Sequence, residues 1–411
     1  MDTLSGDYRG VEGFNMFKIT DYLKEYKKES VIAPLFKMLE ASFELFVPLV
    51  MAAIVDSGIK NQDNIYIWKM GAILVLLGII GLACSVTAQY FAAKASVGFG
   101  KSVRRDLFAH INRLSFTELD QAGTSTLITR MTSDINQMQS GVNMFLRLFL
   151  RSPFIVFGAM IMAFTVDVKA ALVFVVAIPV LSVVVFGIML YSIPLYQKVQ
   201  KALDHVLLMT RENLAGSRVI RAFCRQEDEK KDYNEGSETL KQIQLFVGKV
   251  SAFMNPVTYI IVNAAIIAII WIGGVQVDTG RLSQGEVIAL VNYMSQILVE
   301  LIKMANLIIT ITKGVACAKR IGDVLDLEEE KIEKEKTCLS GGVEFRNVTA
   351  QYAKSAGAAL EGITFRAEPG QTIGVIGGTG SGKSTLVNLI PKLYDAAAGE
   401  ILLDGVPVSQ M

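Results

Sequence analysis

At 411 residues, with 52% hydrophobic side chains and a mean hydropathy of +0.42, the chain is too apolar for an ordinary water-soluble globule. Charged residues still make up 19% of it, so the apolar ones must be segregated into membrane spans. A net charge of +1, without a basic face interleaved with aromatics, gives no footprint for nucleic acid, and none is expected as a partner.

Residues 1–30 are polar and charged and lack the basic, apolar, small-residue order of a cleaved signal, so nothing is expected to be removed. Phe14, Phe17, Leu23 and Tyr26 alternate with Lys18, Lys24, Lys27 and Lys28, which predicts a short helix lying on cytoplasmic headgroups. Six apolar stretches follow at 32–57, 68–93, 143–165, 169–192, 253–275 and 286–311. Each reaches the roughly 20 residues that a helix needs to cross hydrocarbon. The connections Ser57–Ile67, Thr165–Lys169 and Gln276–Gln284 are short. The other two are long and basic, one carrying Lys101, Arg104, Arg105, Arg113 and Arg130, the other Lys198, Lys201, Arg211, Arg218, Arg221, Arg225, Lys230 and Lys231. Basic connections stay inside, so both termini are expected in the cytoplasm of a multi-pass protein of the cytoplasmic membrane.

The long connections read as helices rather than loops. Leu127, Met131, Ile135, Met138, Val142, Phe145 and Phe149 recur every three or four residues across the membrane boundary, which predicts one helix running from cytoplasm into bilayer. Turning points are expected near Leu114–Asp120, with Gly123 after it, and near Leu214–Phe223. Their apolar patches require a partner surface.

Within the spans, Lys37, Glu40 and Glu44 share a face of the first, and Asn292, Gln296, Glu300, Lys303 and Thr310 form a broken stripe on the sixth. Ionisable groups in hydrocarbon are costly, so these faces are expected to look onto a cavity or one another, with Glu44 and Glu300 foremost. The alternative is that the helices extend below the membrane and these residues meet water. Pro34, Pro48, Pro179, Pro194 and Pro256 are candidates for kinks. His110 and His205 have no carboxylate or cysteine at ligand spacing and are assigned surface or packing roles. Cys84, Cys224, Cys317 and Cys338 lack paired spacing, which argues against a disulfide framework or zinc site and leaves them packing roles.

After the last span, Lys319–Asp326 continues as helix and Leu327–Lys336 is a solvated charge run. Val343–Arg346 reads as a strand that ends in Val348–Tyr352; Leu360–Ala367 reads as a second, and Gly399–Gly405 as a further strand and turn. The apolar run Thr372–Ile376 reads as the strand before Gly377-Gly378-Thr379-Gly380-Ser381-Gly382-Lys383-Ser384-Thr385, and Leu386–Ile390 as the helix after it. This is a phosphate-binding loop for a nucleoside triphosphate. Its glycines let successive N–H groups turn inward around phosphate oxygens. Lys383 is assigned to the β- and γ-phosphates and the Ser384 hydroxyl to Mg²⁺.

Arg104–Phe116 with Leu127–Asp134, and Arg211–Phe223, resemble the first and second intracellular loops of ABC exporters, and nearly the whole chain follows that order of six spans and a nucleotide domain. The resemblance implies a mainly α membrane protein whose six spans have long cytoplasmic extensions. The N-terminal part of a P-loop α/β nucleotide-binding domain follows them. It divides the chain into a cytoplasmic segment (1–30), a transmembrane domain (31–325), a linker (326–339) and a nucleotide domain (340–411). Short coupling helices at about Ser115–Asp120 and Ser217–Phe223 would dock into nucleotide domains and transmit their closure. Tyr352 matches the aromatic that stacks on adenine. Leu339-Ser340-Gly341-Gly342 shares its letters with the family's signature motif, but it precedes the phosphate loop and leads into a strand, so it is not read as that motif.

The resemblance also implies a glutamine loop, a signature helix, a Walker B strand and a switch histidine downstream of Met411. The expectation is therefore a half-transporter truncated within its nucleotide domain, binding ATP with Mg²⁺ but hydrolysing it poorly. It would pair with an identical or different half and export an amphiphile, a drug, lipid or hydrophobic peptide, from membrane lipid. The rival readings are an ATP-gated channel or regulator, and a fragment without nucleotide chemistry.

Overall fold

The computed structural model describes residues 21–329, 340–352 and 357–408. Most of the expected headgroup helix, most of the charge run and Cys338 lie outside the described residues; Lys24–Tyr26 form a 3-10 turn leading into the first long helix. Six helices are long and apolar enough to cross a membrane: Lys24–Ile59, Asn64–Ile111, Thr124–Val166, Val168–Ala222, Gln226–Asp278 and Gln284–Leu325. Each contains one expected span. The second, fourth and fifth have 48, 55 and 53 residues, more than twice what hydrocarbon requires at 1.5 Å per residue.

The elements in chain order are α1 (Lys27–Ala53), α2 (Asn64–Ile111), α3 (Phe116–Ala122), α4 (Thr124–Thr129), α5 (Ile135–Leu148), α6 (Arg151–Val166), α7 (Val168–Ala215), α8 (Ser217–Ala222), α9 (Gln226–Asp278), α10 (Gln284–Leu325), β1 (Val343–Ala350), β2 (Leu360–Ala367), α11 (Lys383–Leu389), β3 (Ala398–Leu403) and β4 (Val406–Pro407). They divide into two compact units, Tyr26–Ser96 with Gly141–Thr312, and Met1–Glu25 with Val97–Ser140 and Lys313–Met411.

The membrane unit packs on small residues. Ala41, Ala159, Ala163, Ala170, Ala171 and Ala289 are fully buried beside Phe174 and Tyr293, because small side chains let helix backbones approach where lipid supplies no hydrophobic drive. The Tyr293 hydroxyl donates to the Leu45 carbonyl at 2.7 Å. Short connections are pinned by carboxylates. Asp167 caps α7 by accepting from Ala170 N at 2.7 Å and also accepts from Gln276 Nε2 at 2.8 Å. Asp56 accepts from Gly285 N at 2.8 Å, and an added Cβ at Gly285 would strike the Ala52 carbonyl, so this close approach requires glycine. The prolines at 34, 48, 179, 194 and 256 all lie inside helices. It is Pro153, not singled out in the sequence, that coincides with a break: α5 ends at Leu148 and α6 starts at Arg151, since Pro153 has no N–H for the Phe149 carbonyl.

The second unit holds the arm between the second and third membrane-length helices, and the sheet. The arm turns where expected: α3 is capped by the Ser115 hydroxyl, which accepts from Glu118 N at 3.3 Å, and Gly123 ends it at φ 78°. The helix expected through residue 127 carries a π turn at Arg130–Asp134. Asp134, 4% exposed, accepts from Arg320 at 2.6 and 3.0 Å and from Arg130 at 2.9 Å. His110 is buried as a packing residue, but it has a carboxylate that spacing did not reveal: its Nδ1 lies 2.9 Å from Glu329 Oε1. That contact, with Arg113 beyond it, holds the Glu329 carboxyl below its ordinary range. Cys84 and Cys317 are buried, whereas Cys224 is exposed at a turn with φ 55°.

The sheet is wholly antiparallel, ordered β2-β1-β3-β4, with Phe345 opposite both Phe365 and Ile401. The strand expected at Thr372–Ile376 does not form: no described strand pairs with it, and Ile376 is 99% exposed. A strand exists only against a hydrogen-bonding neighbour. The Ser340-Gly341-Gly342 turn is a nest for a carboxylate. Asp404 accepts from the Ser340 hydroxyl at 2.6 Å and from Gly341 and Gly342 N–H at 3.0 and 2.8 Å. The Ser340 hydroxyl foremost, then the two N–H groups, pull its carboxyl down to about 2 from an ordinary 3.8. A depressed acid stabilises the fold above its unfolded value and ceases to as pH falls through its folded one. Amide exchange at Gly341 and Gly342 is therefore expected to stay slow at neutral pH and to accelerate between about pH 4 and pH 2. Asp404→Asn should show fast exchange already at pH 7.

Candidate nucleotide-binding site

From β2 the chain turns at Glu368–Gly370, runs exposed through residues 371–378, and enters α11. Gly380 and Gly382 stand at φ 85° and 82°, the left-handed region that side chains avoid. A Cβ at Gly382 would also come within 2.6 Å of the Ala359 carbonyl. The loop curls around the Lys383 ammonium, which donates to the carbonyls of Gly377 and Gly378 at 2.9 and 2.6 Å and to the Ser381 hydroxyl at 3.3 Å. Ser384 is exposed, and its hydroxyl has no hydrogen-bond partner among the described residues. Gly378 and Thr379 are open to solvent as well.

These residues fit a triphosphate with its metal. A half-buried cation held only by neutral carbonyl and hydroxyl acceptors is available to an anion, and a free hydroxyl beside it is the donor type that Mg²⁺ takes. Among the described residues no carboxylate pairs with Lys383 or competes for its charge.

Thr385, buried under the loop, links it to the rest of the unit. The Tyr352 and Thr385 hydroxyls lie 3.0 Å apart. The Tyr352 ring meets Tyr394 edge-on at 5.0 Å, and Tyr394 meets Phe116 of α3 at 6.3 Å. The Tyr394 hydroxyl donates to Asp120 of α3 at 2.6 Å. A relay of three rings thus runs from the phosphate loop to α3, the turn between the second and third membrane-length helices. Tyr394 and Asp120 escaped the sequence reading because they are 274 residues apart and neither belongs to a spaced motif. At the turn around α8, Leu214, Val219 and Phe223 are 75%, 60% and 74% exposed, the apolar patch expected there.

Hydrogen bonding to Asp120 pushes the Tyr394 phenol up to about 12. A raised value means that the contact persists below the ordinary 10 and is lost as pH rises through about 12. The Tyr394→Phe variant is expected to weaken this contact by about 1.5–3 kcal/mol, the usual worth of a hydrogen bond to a charged acceptor. Hydrogen exchange of residues 116–122 should then be faster in the variant at pH 8, with little difference left above pH 12.

A second polar constellation lies within the membrane unit. Arg151 donates through Nη1 to Glu300 at 2.7 Å and through Nη2 to Glu44 at 2.6 Å. Glu300, 1% exposed, also accepts from Ser152 at 2.9 Å and Lys303 at 2.8 Å. Glu44 and Glu300 do look toward a common centre, and that centre is an arginine the sequence reading passed over. Lys37 donates to Glu40 at 2.6 Å and Ser85 at 3.1 Å.

Comparison with known proteins agrees with this architecture. The family model for the ABC transporter transmembrane region matches residues 30–301, and that for the ABC transporter matches 360–411. A Bacillus subtilis protein described as an uncharacterized ABC transporter ATP-binding protein is 33% identical over 96% of this chain and 70% of its own length. An ATP-dependent lipid A-core flippase of Desulfotalea psychrophila is 31% identical over 89% of this chain and 66% of its own. A fatty acid ABC transporter ATP-binding/permease protein of Mycobacterium tuberculosis is 29% identical over 75% of this chain and 49% of its own. With six membrane-length helices running into a glycine-framed phosphate loop, and with both family models matched in that order, this integral membrane protein belongs to the ABC transporter family.

Proposed function

We propose that the chain is one half of a dimeric ATP-driven exporter that moves amphiphilic molecules, drugs, lipids or hydrophobic peptides, across the cytoplasmic membrane. Both termini and the phosphate loop lie on the cytoplasmic side, in keeping with the basic character of the two long connections. The observation that carries the reading is the Tyr352–Tyr394–Phe116 relay, which ties the phosphate loop to α3, the turn between the second and third membrane-length helices. Relatives named for lipid and fatty acid support an amphiphilic cargo.

In this reading the backbone of Gly377, Gly378, Thr379, Gly380, Ser381 and Gly382 cradles the phosphates of ATP. Lys383 leaves its carbonyl acceptors for the β- and γ-oxygens. Tyr352 offers its ring to adenine, a contact of about 1–3 kcal/mol by analogy with base stacking. Ser384 holds Mg²⁺, which when bound supplies charge neutralisation at the phosphates. Thr385 keeps Tyr352 in register. A second half-transporter, identical or different, supplies the opposing surface, and closure shifts α3 and α8 so that the membrane unit turns outward. Hydrolysis also needs a water-orienting residue and further metal ligands, which no described residue at the loop provides. The loop by itself accounts for the binding of ATP.

The test is binding of a fluorescent ATP analogue to the purified chain in nanodiscs. Binding is expected to require Mg²⁺ and to weaken by about tenfold or more in Lys383→Ala, the loss of one charge-assisted phosphate contact. Equal binding by wild type and variant would remove the loop from the site.

A further inference from the structure

One helix of the second unit carries a surplus residue. Arg130–Asp134 form a π turn between α4 and α5, closed by the Ile135 N–H donating to the Arg130 carbonyl five residues back. Such a turn takes in one residue more than an α turn, so the helix on either side keeps its facing. Relaxed to plain α-helix, the same residues would rotate α4 by about 100° and advance it by about 1.5 Å relative to α5.

The residues before the turn suit both registers. Leu127 is 6% exposed and is the buried residue of α4, whereas its neighbour Ile128 is 59% exposed. A step of one residue puts Ile128 where Leu127 lies. The two side chains are isomers of equal size, an exchange that cores tolerate, so the buried site stays filled. Nothing else in α4 is buried, and nothing in α3 is. The Thr129 and Thr132 hydroxyls donate to the Ser125 and Ile128 carbonyls at 2.9 and 2.7 Å, which gives carbonyls around the turn a donor besides the backbone ladder.

The charge at the end of the turn holds its register. Asp134 is buried at the last position, neutralised by Arg130 from the first and by Arg320 from α10. Arg320 makes two of these three bonds. Arg130 is the poorer partner, with its Nε buried and without an acceptor. A buried carboxylate that loses its main partner must reach water, and the turn is the part of the helix that can carry it there. Gly123, at φ 78°, joins α4 directly to α3, whose Asp120 accepts from Tyr394. Rotation of α4 therefore displaces α3 from Tyr394.

We propose that the π turn at Arg130–Asp134 is a two-register switch set by α10. With Arg320 on Asp134 the turn is π, Leu127 is buried and Asp120 meets Tyr394. With the pair open the turn is α, Ile128 takes the buried site and α3 leaves Tyr394. The switch goes beyond the exporter reading, and neither nucleotide nor cargo enters its test.

The experiment uses the full 411-residue chain in nanodiscs, carrying either Leu127→Cys or Ile128→Cys. Labelling by a water-soluble maleimide is followed by peptide mass spectrometry, which keeps the native cysteines apart. With Arg320 in place, the thiol of I128C is expected to label faster than that of L127C. Adding Arg320→Gln should reverse the order, and amide exchange over residues 116–122 should accelerate with it. Deleting Thr132 removes the surplus residue and leaves an α-helix in the present register, so the reversal by Arg320→Gln should be lost. The switch is overturned if I128C is not the faster of the two beforehand, if Arg320→Gln leaves the order unchanged, or if it makes both thiols fast, the mark of local unfolding. A reversal that survives the deletion overturns it as well.

Discussion

Hydrocarbon offers no water to a peptide N–H or carbonyl, and this constraint shapes everything else in the chain. It dictates that the apolar stretches be helices, with their backbone groups satisfied internally. The few departures are handled locally: a π turn at Ile54–Ile59, and a break where Pro153 withholds a donor. The helices of the second, fourth and fifth spans also run on past the apolar stretches without interruption. At 48, 55 and 53 residues these helices are stiff elements more than twice the length that hydrocarbon requires.

That stiffness gives the contacts at α3 their meaning. A short helix capped by Ser115 and ended by Gly123 is a rigid object, and it meets the sheet unit through one ionised hydrogen bond and one ring contact. The phosphate loop is reached through Tyr394, Tyr352 and Thr385 in turn. Lys383 resting on its own loop carbonyls describes the same site from the inside: the cation is held, but weakly enough for a phosphate to take it. Within the membrane unit the charge problem is solved in the same way. Carboxylates from α1 and α10 meet the arginine of α6, so Arg151, Glu44 and Glu300 neutralise one another.

By itself the sequence determined what depends on local chemistry. Six spans, their helical extensions, the two turns at α3 and α8, β1 to β3 and the glycine-lysine loop were all legible. Helix period, loop composition and glycine spacing act over a few residues, and a linear string records them. Only the tertiary structure decided what depends on distant partners. Arg151 between Glu44 and Glu300, Tyr394 on Asp120, and Glu329 on His110 join positions 107 to 274 residues apart, and no periodicity marks such pairs. The strand expected at Thr372–Ile376 shows the same limit: its residues have the propensity, but a strand is a property of two chains' worth of hydrogen bonds and not of one.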